Sequence, residues 1–396
     1  MNDSMVTLIA RAMFGAKASH EWAIAVAIVV ACLLVLFVIA VPFASIVTWV
    51  ERRVWARIQS RVGPNRVGPN GFLQWLADGI KHVCKEDIIP DEADAPLFKL
   101  APYLVVLAFI LPWAAIPFSS ELILADLNIG ILYMTAITAL TVVGVLMAGW
   151  SSNNKWSLIG GIRSAAQIIS YEIPAGLSIF PAVMMTGTLS MQGLIRAQAW
   201  EPYHWFIFAN PFCFAAAIIL FISSLAENNR TPFDLPEAES ELVAGFATEY
   251  SSMRYLFFFM AEWGNMFIAA AIIVTLYLGG WQVPTFNFSR PVMNLLQFIS
   301  FLLKVLILVF VSMWIRGTLP RVRIDQMMSI CWKYFVPLGF INMVGAAVWV
   351  AIFPYGSRLT AMVMFALGVA IVAAFALRVA YFTRRAGMEL YFRPTI

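Results

Sequence analysis

The chain has 396 residues, 61% of them apolar and only 12% charged, whereas a soluble domain of this size carries roughly 25% charged residues. That deficit excludes a water-soluble globular fold. The net charge of +4 comes without a long basic run, which excludes a surface that tracks a nucleic acid backbone.

Residues 1–21 are polar, so no cleavable signal is expected, and the first apolar run, Trp22 to Val50, is predicted to be a retained span. It continues into ERRVWARIQSR (51–61), which places Glu51, Arg52, Arg57 and Arg61 where the helix leaves the bilayer. A tandem repeat follows, RVGPN at 61–65 and again at 66–70, and its Gly-Pro and Pro-Asn steps predict tight turns. The stretch 72–90 then spaces apolar residues helically with Asp78, Lys81, Lys85 and Glu86 opposite, as an amphipathic helix at a membrane surface does.

Further apolar stretches fall at about 100–118, 131–149, 165–188, 208–226, 257–279, 297–315, 334–354 and 359–382. With the first, about nine helical spans are predicted, because backbone in lipid must satisfy its own hydrogen bonds. The ten-residue alternation of a membrane barrel is missing. The fold class is therefore all-α, a polytopic integral membrane protein with short amphipathic helices in its loops. Arg and Lys crowd alternate loops: 51–99 is rich in both, 119–130 has neither, and Arg316, Arg321, Arg323 and Lys333 follow a loop holding only Arg290. The positive-inside rule puts the N-terminus outside and the C-terminus in the cytoplasm.

Two regions carry unusual acids. Glu172 lies within the fourth span, just before Pro174, which is expected to break the helix and admit water. The segment 226–266 holds Glu227, Asp234, Glu237, Glu239, Glu241, Glu249 and Glu262 with Arg230. Asp234 before Pro236 reads as a helix cap, and a helix from about 235 would align Glu237 with Glu241. Carboxylates packed this densely raise one another's proton affinity when buried. A plain solvated acidic loop is the competing reading for Glu239 and Glu249. The four cysteines stand singly and the three histidines lie far apart, so no haem, iron–sulfur or other metal centre is expected.

The runs ERRVWARIQSRVGPNRVGPNG, ADGIKHVCKED, SNNKWSLIGGIRSAAQIISYEIP, AENNRTPFDLPEAESELVAGFATEY and RGTLPRVRIDQMMSICWK resemble the H subunits of bacterial NADH:quinone oxidoreductases, the respiratory complex I family. The resemblance covers about residues 20–354. It implies a membrane subunit that forms the quinone chamber with peripheral subunits and couples quinone reduction to proton translocation. Quinone is then the substrate, while NADH, flavin and iron–sulfur clusters sit on partner subunits, beside antiporter-like membrane neighbours in the bacterial inner membrane. Carried onto this sequence, it implies Glu51, Arg52, Arg57, Arg61, Arg230, Asp234, Glu237 and Glu239 at the chamber and its docking loops. It implies Glu172, Glu227, Glu241 and Glu262 in proton coupling, and no catalytic residue proper.

The sequence departs from the family at Gln74-Trp75, where Gln-Pro is usual, and at its C-terminus. Residues 1–354 form the family-like membrane domain, and 355–396 an extra span and tail. Two alternatives remain: the anchor of a related membrane-bound hydrogenase, and an independent secondary transporter, although no half of the chain repeats the other.

Overall fold

The structure, a computed structural model, describes residues 26, 30, 41–236, 239–284, 288–353 and 358–391. Most of the first predicted span and Glu237 lie outside them. The described residues contain helices and no strand.

Helix α1 (Val41–Ile58) carries the charged exit and leads through the repeat to the amphipathic α2 (Gln74–Cys84). Both halves of the repeat are clasped by α1: Arg53 Nη2 donates to the carbonyls of Pro64 and Asn70, at 3.5 and 2.5 Å, and stacks on Trp49. Helix α3 (Ala95–Ile110) is prolonged by a 3-10 turn to Ala115. The next span is divided at Ala139 into α4 (Gly130–Thr138) and α5 (Leu140–Ser151). Helix α6 (Lys155–Thr186) starts where the Asn154 side chain accepts from Trp156 N–H. It stops at Gly187, whose φ of 67° is the left-handed conformation that glycine adopts freely.

Short helices α7 (Met191–Arg196) and α8 (Phe206–Ala209) precede α9 (Pro211–Glu227), which begins with Pro211 and an Asn210 cap on Cys213 N–H at 2.6 Å. After the single turn α10 (Glu239–Leu242) come α11 (Ser252–Tyr277) and α12 (Arg290–Thr318). Helices α13 (Ile324–Ile330) and α14 (Val336–Ile352) join through a π turn at Cys331–Phe335, and α15 (Arg358–Tyr391) ends the described chain.

Seven helical segments among the described residues are long and apolar enough to cross a membrane, and α9, at 17 residues, is a shorter apolar helix. Helix α11 is central, with 67% of its apolar stretch buried, whereas the apolar stretch of α15, Arg358–Phe375, has 6%. Around α11 the core is aromatic: Trp113 stacks on Phe267 with ring centres 4.7 Å apart, and Phe43 meets the same ring edge-on. Where α5 crosses α6 the contact is built from small residues. A Cβ at Gly149 would lie 2.8 Å from the Ser157 carbonyl oxygen, so only glycine permits the approach.

Two local expectations are corrected. Helix α6 runs unbroken through Pro174. The proline lacks the N–H that would bind the Ser170 carbonyl, and Cys331 Sγ donates to that oxygen instead, at 3.0 Å, so the neighbouring turn compensates for the lost bond. Asp234 caps no helix. The chain turns tightly through a cis Thr231–Pro232 bond, and the Asp234 carboxylate meets Arg321 Nη2 at 3.5 Å.

Candidate functional site

Two features meet near the charged end of α11. The first is a chamber of about 620 Å³ between α1, α2 and α11. Its walls are largely apolar and aromatic, with Trp75, Leu76 and Ile80 from α2 facing Tyr255, Phe259, Met260 and Trp263 from α11. The amphipathic pattern of α2 explains this wall, because its apolar residues recur on one face. Arg52 also lines the chamber and pairs with Asp78 at 2.7 Å, tying α1 to α2. His82 lines it from α2 and lies parallel to Tyr255 with ring centres 5.9 Å apart. Partial burial, then Lys85 and Lys81, hold the His82 imidazole below its ordinary pKa.

The second feature is a set of buried charges behind Trp263. The Arg230 guanidinium carbon sits 4.1 Å from the centre of the Trp263 ring. Its Nε lies 3.2 Å from Glu262, and Nη1 lies 3.9 Å from Glu51. No Arg230 nitrogen makes an aligned hydrogen bond to these acids, so the contacts are ion pairs. Glu51 is also bound by Arg316 Nη1 at 3.0 Å, and Arg316 stacks on Trp55. Two cations thus balance two carboxylates in a largely buried site, which is the condition for holding such charges inside a fold. Arg230 is kept there by its loop. The buried Gln167 amide donates to the carbonyls of Ala226 and Phe233, at 2.7 and 2.8 Å, on either side of it.

From this quartet the acids continue toward the bilayer interior. Glu262 and Glu227 line one small cavity of about 30 Å³ with Thr141, Asn228, Asn229 and Asn265. That volume suffices for a water molecule, which needs at least about 10–15 Å³. Glu227, Asn228 and Asn265 also line a larger cavity of about 490 Å³, where Glu172 and Gly176 stand. Glu262, Glu227 and Glu172 therefore follow one another through two adjoining cavities.

The remaining predicted residues lie elsewhere. Glu241 is exposed at the charged end of α6, paired with Arg163 at 2.7 Å, and lines neither cavity. Arg57 and Arg61 are exposed, with Arg61 held by Gln59 at 2.7 Å. Glu239 falls in α10, and Glu237 lies outside the described residues. Among the described residues no group of three or more His, Cys, Asp or Glu could hold a metal ion.

Sequence reasoning did not single out Arg316, Trp263 or Gln167. Arg316 read as one more positive-inside marker and Trp263 as part of an apolar span. The spacing of Trp263 from Tyr255 and Phe259 on one helical face was the available signal.

A family model described as NADH dehydrogenase matches residues 30–347. The H subunit of the NADH-quinone oxidoreductase of Anaeromyxobacter dehalogenans is 53% identical over 334 residues, covering 80% of this chain and 81% of that protein. Its counterpart in Chlorobaculum tepidum is 48% identical over 308 residues, covering 76% of this chain and 86% of its own length. The counterpart in Rickettsia prowazekii is 49% identical over 297 residues, covering 75% and 86%.

Proposed function

The chain belongs to the NADH dehydrogenase family of NADH-quinone oxidoreductase H subunits, membrane subunits of complex I, and from that premise we propose that its α1–α2–α11 chamber receives the quinone and that Arg230 transmits the chamber's state to the buried acids. The single observation that carries this reading is the position of Arg230, stacked on a chamber wall residue and shared between Glu262 and Glu51.

A quinone needs an apolar, aromatic-lined cleft for its ring and tail, and the chamber supplies one of sufficient volume. Electrons arrive from iron–sulfur and flavin centres on partner subunits that oxidise NADH. Reduction to quinol takes up two electrons and two protons and leaves the ring neutral, so protons drawn from side chains around the chamber leave negative charge on those side chains beside the Trp263 wall. Arg230 answers by shifting its pairing between Glu262 and Glu51. Glu262 then exchanges a proton with Glu227 across the small cavity, and Glu227 with Glu172 across the larger one. From Glu172 the proton passes to neighbouring antiporter-like subunits. Low local dielectric makes each such change of pairing energetically large. Arg57, Arg61, Glu237, Glu239 and Glu241 belong in this reading to the surface that docks the peripheral subunits, and buried Asp234, paired with Arg321, holds the loop beneath it, in a bacterial inner membrane with the C-terminus cytoplasmic. Residues 1–354 form the coupling domain, and the segment from 355 packs at its edge.

The test uses Gly79, which lines the chamber and has open space where a Cβ would stand. Gly79→Phe puts a ring into the chamber from a Cβ position that has no neighbour within 4 Å. NADH:quinone reduction in membranes should collapse while NADH oxidation by an artificial acceptor persists. Unchanged quinone reduction would remove the chamber from the quinone's path.

A further inference from the structure

Lys304 stands midway along α12, at membrane depth, and takes no part in the scheme above. Its ammonium donates to the carbonyls of Leu278 and Gly280, at 2.8 and 2.9 Å, and lies 4.4 Å from the centre of the Trp205 ring. Those carbonyls close the end of α11 away from the chamber. An ionised lysine within a span is expensive and marks a function or a partner. Here the partners are backbone oxygens and an indole face, so the positive charge is fixed in place and, among the described residues, not cancelled by an acid.

The larger cavity runs toward the same end. Glu172 and Glu227 line it together with Ile131, Leu132, Val183, Leu189 and Ile272, and the Thr135 and Thr138 hydroxyls that also line it donate to carbonyls of their own helix. Leu278 lies six residues beyond Ile272, about 9 Å farther along the helix axis. Along α11, then, come Glu262, a mostly apolar stretch whose Thr275 hydroxyl is turned back to the Ala271 carbonyl at 2.8 Å, and the carbonyls that hold the cation. Apolar constrictions that shed water, and fixed positive charges, are the two devices by which membrane pores exclude protons.

We propose that Lys304 is the electrostatic closure of this membrane domain, keeping protons held by Glu227 and Glu172 from escaping past the far end of α11. The inference rests on the proton route proposed above. It gives the buried charge a purpose: a route with a leak at one end cannot sustain a gradient, however well its acids are coupled. The plain competing role is a helix cap, since Lys304 binds the carbonyls left unpaired at the end of α11. Charge and hydrogen bonding can be separated. Glutamine donates to carbonyls without charge, methionine does neither, and arginine does both.

The experiment reconstitutes the whole complex in lipid vesicles with K304Q, K304M or K304R and scores assembly by artificial-acceptor oxidation of NADH. Turnover builds a pH gradient, a quinone-site inhibitor then stops it, and a pH-sensitive dye follows the passive decay. K304Q and K304M should keep quinone reduction and lose the gradient severalfold faster than the parent, while K304R should hold it. A K304Q complex that holds its gradient as the parent does reduces Lys304 to a cap and overturns the proposal. So does a failure of both neutral variants to assemble while K304R assembles, because the charge then serves folding. The passive decay is read with turnover stopped, so it is independent of the Gly79→Phe result, which tests the chamber alone.

Discussion

Arg230 and Trp263 form the contact through which the chamber and the buried acids meet: the guanidinium lies 4.1 Å above an indole whose other atoms line the chamber wall. One residue is a cation held in a loop, and the other belongs to the central helix. Neither interaction of Arg230 with Glu262 or Glu51 is an aligned hydrogen bond, so charge and not hydrogen-bond geometry ties the cation to the two acids.

Removing Arg230 should therefore be far more damaging than removing a whole pair. Arg230→Met leaves Glu51 and Glu262 with Arg316 alone, and stranding a buried charge costs about 3–5 kcal/mol. Assembled complex, measured as artificial-acceptor activity in membranes, should fall sharply. Adding Glu262→Gln should restore much of it without restoring quinone-linked pumping. If the double variant assembles no better than Arg230→Met, the two side chains are not energetically paired.

Gly176 offers a test of the proton route that leaves every acid intact. It lines the larger cavity and has open space at its Cβ position. Gly176→Leu should occupy the space between Glu172 and Glu227 and lower protons moved per NADH oxidised by about half or more, a barrier change of roughly 1 kcal/mol being enough to slow a step severalfold. An unchanged ratio of gradient to electron transfer would exclude that cavity from the route.

Titration of His82 should appear in the quinone KM. Its pKa lies below the ordinary 6.5, so the ring is neutral at pH 7 and gains a proton only on the acid side. A group with a depressed folded pKa stabilises the neutral-pH form and loses that contribution as pH falls through the folded value. Protonation adds a positive charge to a chamber wall that already carries Arg52 and Lys81. The parent's KM should rise below pH 6.5, and His82→Gln should flatten that rise. Superimposable acid limbs would show that the His82 charge does not reach the quinone.

Gly264 should tolerate no side chain. A Cβ there would lie 1.8 Å from the Phe109 ring, inside the aromatic core around α11. Gly264→Ala should cost about 1–3 kcal/mol or more through forced repacking. Heat inactivation of artificial-acceptor and quinone activities should accelerate together, whereas a selective loss of quinone reduction would point to a role in the chamber.

Much of this was legible from residue order alone. Seven of the spans expected from hydropathy stand as long apolar helices among the described residues, the amphipathic face of α2 followed from spacing, and Glu172, Glu227 and Glu262 stood out by their placement inside apolar runs. The rest depended on contacts between distant segments. Glu51 finds Arg316 across most of the chain, and a basic residue near a span end looks the same whether it faces lipid headgroups or a buried acid. Pro174 read as a break because its substitute partner, Cys331, belongs to another helix. Nor does residue order show that Glu241, which follows Glu227 in the same acidic segment, pairs with Arg163 at the end of α6.

The thiol that mends α6 at Pro174 also gives the molecule a built-in reporter. Cys331 is fully buried, and its sulfur reaches the Ser170 carbonyl only while the π turn lies against α6. An alkylating reagent can meet that sulfur only when the turn lifts away. The rate of Cys331 labelling therefore clocks the opening of this seam in a protein whose global unfolding within a bilayer is hard to follow.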